Sequence, residues 1–169
     1  DTYEFVLLME RYDESLVVLQ LMLGVNTTDI LYLSAKQSGK YWYKRQSKKC
    51  LLLEPSFVSP VVEEYLSSKE WYAKNYGDYL LHEAVSQSLD LTIDSLGRER
   101  FSDALQKFKT LRDRVETECV DKVIFPCSAE GKVQNLQSAA NCYKRDEGCG
   151  YPCIDEFSEK LNKDENVSP

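Results

Sequence analysis

Glu10-Arg11-Tyr12-Asp13-Glu14-Ser15-Leu16-Val17-Val18-Leu19 is the stretch on which the reading of this chain turns. Ahead of it, Tyr3–Met9 is β-branched, aromatic and aliphatic with little polar alternation, which is how a strand buried on both faces reads. Behind it, Leu16, Leu19, Met22 and Leu23 recur at helical spacing. Asp13 stands where an N-cap belongs, acidic residues fill the first turn, and Gly24 is a stop. A strand, a tight turn and an amphipathic helix over residues 14–23 make a βα unit, the building block of a layered α/β fold.

Further along, Thr28 and Asp29 can open a short turn before a possible strand at Ile30 to Leu33. Residues 34–49 are polar and basic, with Lys36, Lys40, Lys44, Arg45, Lys48 and Lys49 around Tyr41, Trp42 and Tyr43, the pattern of an exposed loop or hairpin. Ser59-Pro60 is a cap followed by a proline in the first turn. From Trp71 to Leu96 the residues Tyr72, Tyr76, Tyr79, Leu80, Ala84, Leu89 and Ile93 keep a helical period, and Gly97 breaks it. A second long helix is expected from Arg98 to Cys119, with Phe101, Leu105, Phe108, Leu111 and Val115 on one stripe. The expected fold is an α/β remnant that is predominantly helical: short buried strands packed on helices, two long helices, then a cysteine-rich loop tail. Residues 1–122 are expected to form one domain and residues 123–169 a disulfide-stapled tail, since a loop-rich segment of that size needs staples.

The 169 residues suffice for one domain with a sizeable core. A formal net charge of -7 argues against nucleic acid, whose phosphates call for a basic surface. No apolar run reaches membrane-spanning length. The opening Asp1-Thr2-Tyr3-Glu4 has no basic head and no initiator Met, so a processed or truncated start is expected. Six cysteines, Cys50, Cys119, Cys127, Cys142, Cys149 and Cys153, suit disulfides in an oxidising compartment, with connectivity left open. No C-x-x-C pair occurs, so disulfides are preferred over zinc. Asn26-Thr27-Thr28 is an N-glycosylation sequon, and Asn166-Val167-Ser168 a weaker one beside the terminus.

No catalytic, cofactor-binding or metal-ligating residue is assigned. His82, the one histidine, has no nucleophile or ligand spacing around it and reads as an ordinary helix residue. Glu10 and Arg11 sit at a strand end, where α/β sites lie, and are the cleft candidates. The basic and aromatic residues of 36–49 read first as a solvated loop; their functional alternative is recognition of a sulfated or acidic glycan or of an acidic protein surface.

Several of these segments together resemble the galactose 3-O-sulfotransferase family. The residues that carry the likeness are Glu10 to Leu19, Asp29-Ile30-Leu31-Tyr32, the pair Asn75 and Asp78 with Leu81, Leu96-Gly97-Arg98-Glu99-Arg100-Phe101, and Glu118-Cys119-Val120-Asp121. They run in one order over roughly residues 3–122 and are similar to the C-terminal portion of that family. His82 stands where the family pattern has a tyrosine, and residues 36–59 and the Cys142–Cys153 tail depart from it. The resemblance implies sulfuryl transfer from 3′-phosphoadenosine 5′-phosphosulfate to a sugar hydroxyl in the Golgi or another secretory lumen. Such chemistry needs backbone N–H groups and cations that grip the donor phosphates. In the family those loops precede the matching region, and no Gly-rich basic loop follows a strand in this sequence.

Two functions follow as expectations. One is a sulfotransferase-like domain without its donor loops, inactive alone, within a larger polypeptide or assembly. The other is a non-catalytic structural or binding subunit in an oxidising lumen, whose Tyr3–Met9 strand is covered by a missing N-terminal half or by another chain.

Overall fold

A computed structural model describes residues 5–33, 39–44, 46–55, 57–123, 126–134 and 150–165. The chain divides into two compact units, residues 1–30 with 57–110 and residues 31–56 with 111–169. The described structure is predominantly helical, with one short two-stranded antiparallel sheet and disulfide-bonded cysteines toward the C-terminal end.

In the first unit, a 3-10 turn over Met9–Arg11 runs directly into α1, Tyr12–Leu23. Tyr3 and Glu4 of the expected first strand lie outside the described residues. The described part of that segment is not a strand: residues 5–8 form no regular element, and Met9 already belongs to the turn. The backbone groups of Leu8 are engaged locally, which leaves no ladder there. Its N–H donates to Ser15 Oγ at 3.1 Å, and its carbonyl accepts from the Arg11 N–H at 3.2 Å. Leu8 is buried, whereas Val6, Leu7 and Met9 are exposed.

The face that α1 buries differs from the leucine stripe. Ser15, Val17, Val18 and Gln20 are buried, and Met22 and Leu23 are exposed. Two polar residues occupy this position, each with a side-chain hydrogen bond, and Gln20 Oε1 is buried with no partner among the described residues. Ser15 holds Leu8, and Gln20 Nε2 donates to Thr27 Oγ1 at 3.1 Å. Arg11, not Asp13, occupies the cap position, with no side-chain capping bond; Asp13 lies within the first turn. Gly24 ends the helix as expected, at φ 66°, with its N–H donating to the Gln20 carbonyl. A 3-10 turn, Thr27–Ile30, follows.

Helix α2, Pro60–Leu66, starts where the sequence places it: Ser59 Oγ accepts from the Val62 N–H and Pro60 fills the first turn. Helix α3 spans Lys69–Lys74 and is capped by Ser68. The single long helix expected from Trp71 is interrupted at Asn75, whose side-chain amide donates to the Trp71 carbonyl at 2.9 Å and closes α3. Helix α4 then runs Tyr76–Leu96 and packs against α1. Its apolar period continues into the core only in its second half. Leu89 and Ile93 are buried, but Tyr76, Tyr79, Leu80 and Ala84 are exposed, as is Tyr72 on α3. Gly97, at φ 93°, breaks the chain into α5, Arg98–Cys119. The α5 stripe matches its sequence pattern: Phe101, Phe108, Leu111 and Val115 are buried and Leu105 is half-buried.

In the second unit, β1 (Tyr41–Lys44) and β2 (Lys49–Leu52) form a hairpin with Tyr41 opposite Leu52, Trp42 opposite Leu51, Tyr43 opposite Cys50 and Lys44 opposite Lys49. The strands of the fold therefore lie in the basic segment. The hairpin face that carries Cys50 is pinned by the Cys50–Cys127 disulfide. A 3-10 turn over Val120–Lys122 follows α5. The tail holds more helix than a loop-rich reading allows: α6 spans Tyr151–Glu165, tied to the end of α5 by Cys119–Cys153. Cys153 and Phe157 are buried one helical turn apart, and the Arg114 guanidinium lies 4.9 Å from the Phe157 ring centre.

Candidate functional site

Glu10 and Arg11, the cleft candidates, lie on the 3-10 turn that leads into α1, beside α4. Because that turn replaces the end of a strand, Arg11 is aimed along the helices. Its guanidinium donates through Nε and Nη2 to the Glu14 carboxylate one turn on, and through Nη1 to Asp90 Oδ1 on α4 at 2.8 Å. These partners, Glu14 first, hold the guanidinium above its usual range against a smaller opposing effect of burial. Glu10 Oε2 lies 3.6 Å from His82 Nε2, and both side chains are more than half exposed. The head of α1 is thus joined to α4 by a clamp of one cation and two carboxylates, with a histidine–carboxylate pair alongside.

Arrangement and charge decide what this site can do. A phosphosulfate donor brings several negative charges and needs cations with free donors. Arg11 spends its fork on Glu14 and Asp90, and Glu10 adds a third carboxylate. Glu10 and Arg11, in this arrangement, do not fit a donor nucleotide. Among the described residues, no group of three or more His, Cys, Asp or Glu is placed to hold a metal ion. His82 is brought to Glu10, which its sequence neighbours did not signal.

An arginine stays charged throughout the accessible pH range, so the clamp is tested by substitution. Arg11→Met is expected to cost about 1 kcal/mol, since the partners are partly exposed and solvent screens them. In a double-mutant cycle, Asp90→Asn is expected to cost almost nothing further once Arg11 is gone, as read by urea unfolding. Full additivity of the two changes would show that the contact contributes nothing.

Of the disulfide candidates, Cys50 pairs with Cys127 and Cys119 with Cys153, with Cα atoms 5.8 and 5.7 Å apart. Cys142 and Cys149 lie outside the described residues, as does the sequon at Asn166. Asn26 is exposed, just ahead of the Thr27–Ile30 turn, where its backbone N–H donates to Asp29 Oδ2 at 2.8 Å. No helix among the described residues is long and apolar enough to cross a membrane. The paired cysteines suit an oxidising compartment. Comparison of the chain with protein-family models, curated proteins and solved structures finds no match.

Proposed function

We propose that this polypeptide is a sulfotransferase-like scaffold, without donor-phosphate loops of its own, that works within a larger polypeptide or assembly in a secretory lumen. The observation that carries the reading is the apolar surface from α2 to α4. Phe57 is 86% exposed, Val61 76% and Leu81 65%, and Val58, Val62, Tyr65, Leu66, Tyr72, Tyr76, Tyr79 and Leu80 are exposed with them. Side chains of this size and number in one run of sequence support a reading in which another chain covers them. Asn26, exposed at its turn, is the place for an N-linked glycan in this reading.

The Arg11 clamp favours a second version of the same idea, a purely structural or binding subunit. Its cation nearest the family-like motif is committed to holding helices together. Calorimetry of the purified chain with 3′-phosphoadenosine 5′-phosphate, paired with a sulfuryl-transfer assay on galactosides, tests both versions. Neither heat nor turnover is expected from the chain alone. Turnover by residues 1–169 would overturn the proposal. Recovery of turnover on adding an upstream portion of the same coding sequence would select the enzyme version over the subunit.

A further inference from the structure

The chain is acidic as a whole, but its charge is segregated. The first unit contains fifteen Asp and Glu against seven Lys and Arg, whereas residues 36–49 contain six Lys and Arg and no acid. The hairpin gives that basic segment a defined face. Side chains alternate across a strand, and directly paired residues share a face. Tyr41, Tyr43, Cys50 and Leu52 therefore lie on the side fastened by the Cys50–Cys127 disulfide. Trp42, Lys44, Lys49 and Leu51 lie on the other side. The pairing continues one step beyond the strands, with the Leu53 N–H donating to the Lys40 carbonyl at 2.9 Å, which puts Lys40 in the same outer row.

The row of β1 away from the disulfide thus reads lysine, tryptophan, lysine at every second residue, about 6.8 Å apart along the strand, with Lys40 exposed and Trp42 and Lys44 half-buried. Lys49 stands directly across from Lys44, and Leu51 across from Trp42. Like charges placed directly opposite each other destabilise a strand pair. Among the described residues no carboxylate lies within 4 Å of Lys40, Lys44, Lys48 or Lys49 to offset this. Lys48, in the left-handed region at φ 51°, adds a further exposed cation at the tip.

We propose that this outer face, Lys40, Trp42, Lys44 and Lys49, is a binding strip for a sulfated polysaccharide. A row of anionic groups relieves the Lys44–Lys49 repulsion, and an apolar ring face between two cations matches a sugar ring that carries sulfate groups on either side. The disulfides select the ligand further. They belong to an oxidising compartment, where the extended polyanions on offer are sulfated and carboxylated sugars. Polysaccharide binding goes beyond the sulfotransferase-like reading and does not depend on it, since binding at the hairpin and turnover are separate measurements.

The test is calorimetric titration of the whole chain with a heparin-derived octasaccharide. The expected result is binding that weakens about tenfold or more between about 50 and about 200 mM salt, as polyelectrolyte contacts do. Lys44→Gln/Lys49→Gln is expected to weaken it by about tenfold and to flatten the salt dependence. Lys49 is exposed and Lys44 half-buried, and far-ultraviolet dichroism checks that this variant keeps its fold. Trp42→Leu is expected to weaken binding several-fold and to leave the salt dependence as it was. Unaltered binding by the lysine variant, or no binding at all, overturns the proposal. So does equal binding of a single-stranded oligonucleotide or of polyglutamate of matched charge, which would reassign the strip to a phosphate polymer or an acidic protein surface.

Discussion

Replacing the Cys50–Cys127 bridge, as Cys50→Ser/Cys127→Ser, is expected to lower stability by about 4 kcal/mol and to release the hairpin. The bridge joins residues 77 apart in sequence. In the chain-entropy view, a closed loop of that length restricts the unfolded ensemble by about 4 to 5 kcal/mol, and native bridges in small domains deliver about 2 to 5. The local consequence is larger than the global one. Two strands of four residues do not hold together in water by themselves, and this pair also carries two lysines face to face. Hydrogen exchange is the measurement. Amides of Lys40 to Leu53 are expected to lose their protection, while those of Val17 to Gln20 on α1 keep theirs. Losing Cys119–Cys153, which spans 34 residues, is expected to free α6 in the same selective way. Uniform loss of protection across α1, α4 and the hairpin would show that the bridges support the whole molecule rather than their own unit.

Phe108→Ala is expected to cost about 3 to 5 kcal/mol, the range for emptying the site of a fully buried aromatic side chain. Phe108 has no solvent exposure, and no other fully buried side chain is larger among the described residues. Domains of this kind are stable by about 5 to 15 kcal/mol. A single change at this position therefore removes about a fifth or more of the total and lowers the urea midpoint accordingly. Leu105→Ala, one turn earlier and half-buried, serves as the comparison and is expected to cost clearly less. Equal costs at the two positions would mean that the core is not centred on the stripe that α5 presents.

That stripe was legible because a helix with mixed charges on one side and large apolar residues on the other has few alternatives. The local stops were legible for a similar reason. Gly24 and Gly97 adopt positive φ, and Ser59-Pro60 makes a helix start with its own side-chain hydrogen bond. Other features depended on partners that the local sequence does not contain. The run Tyr3–Met9 looks like a buried strand, but Ser15, seven residues after Leu8, takes the backbone N–H that a ladder would use. The basic segment was compatible with loop or hairpin. The structure makes it a hairpin, pinned by a cysteine 77 residues away. In the candidate site, Glu10 and Arg11 were visible as charged residues beside a helix start, but Asp90 was not, because nothing local links positions 79 apart. The tyrosines of α3 and α4 follow a helical period without being core. Periodicity locates a face and leaves open whether the same chain covers it.

A tight approach beside the hairpin has a consequence of its own. Gly131, at φ 77°, leaves room for the Tyr41 ring: a methyl group there would stand 2.5 Å from its nearest carbon. Any other amino acid at 131 would have to push that ring aside, and Tyr41 is the residue between Lys40 and Trp42. Sequence drift in an unassuming turn would thereby reach the pose of the proposed sugar-contacting row, so the mutational freedom of this distant loop is narrower than its exposure implies.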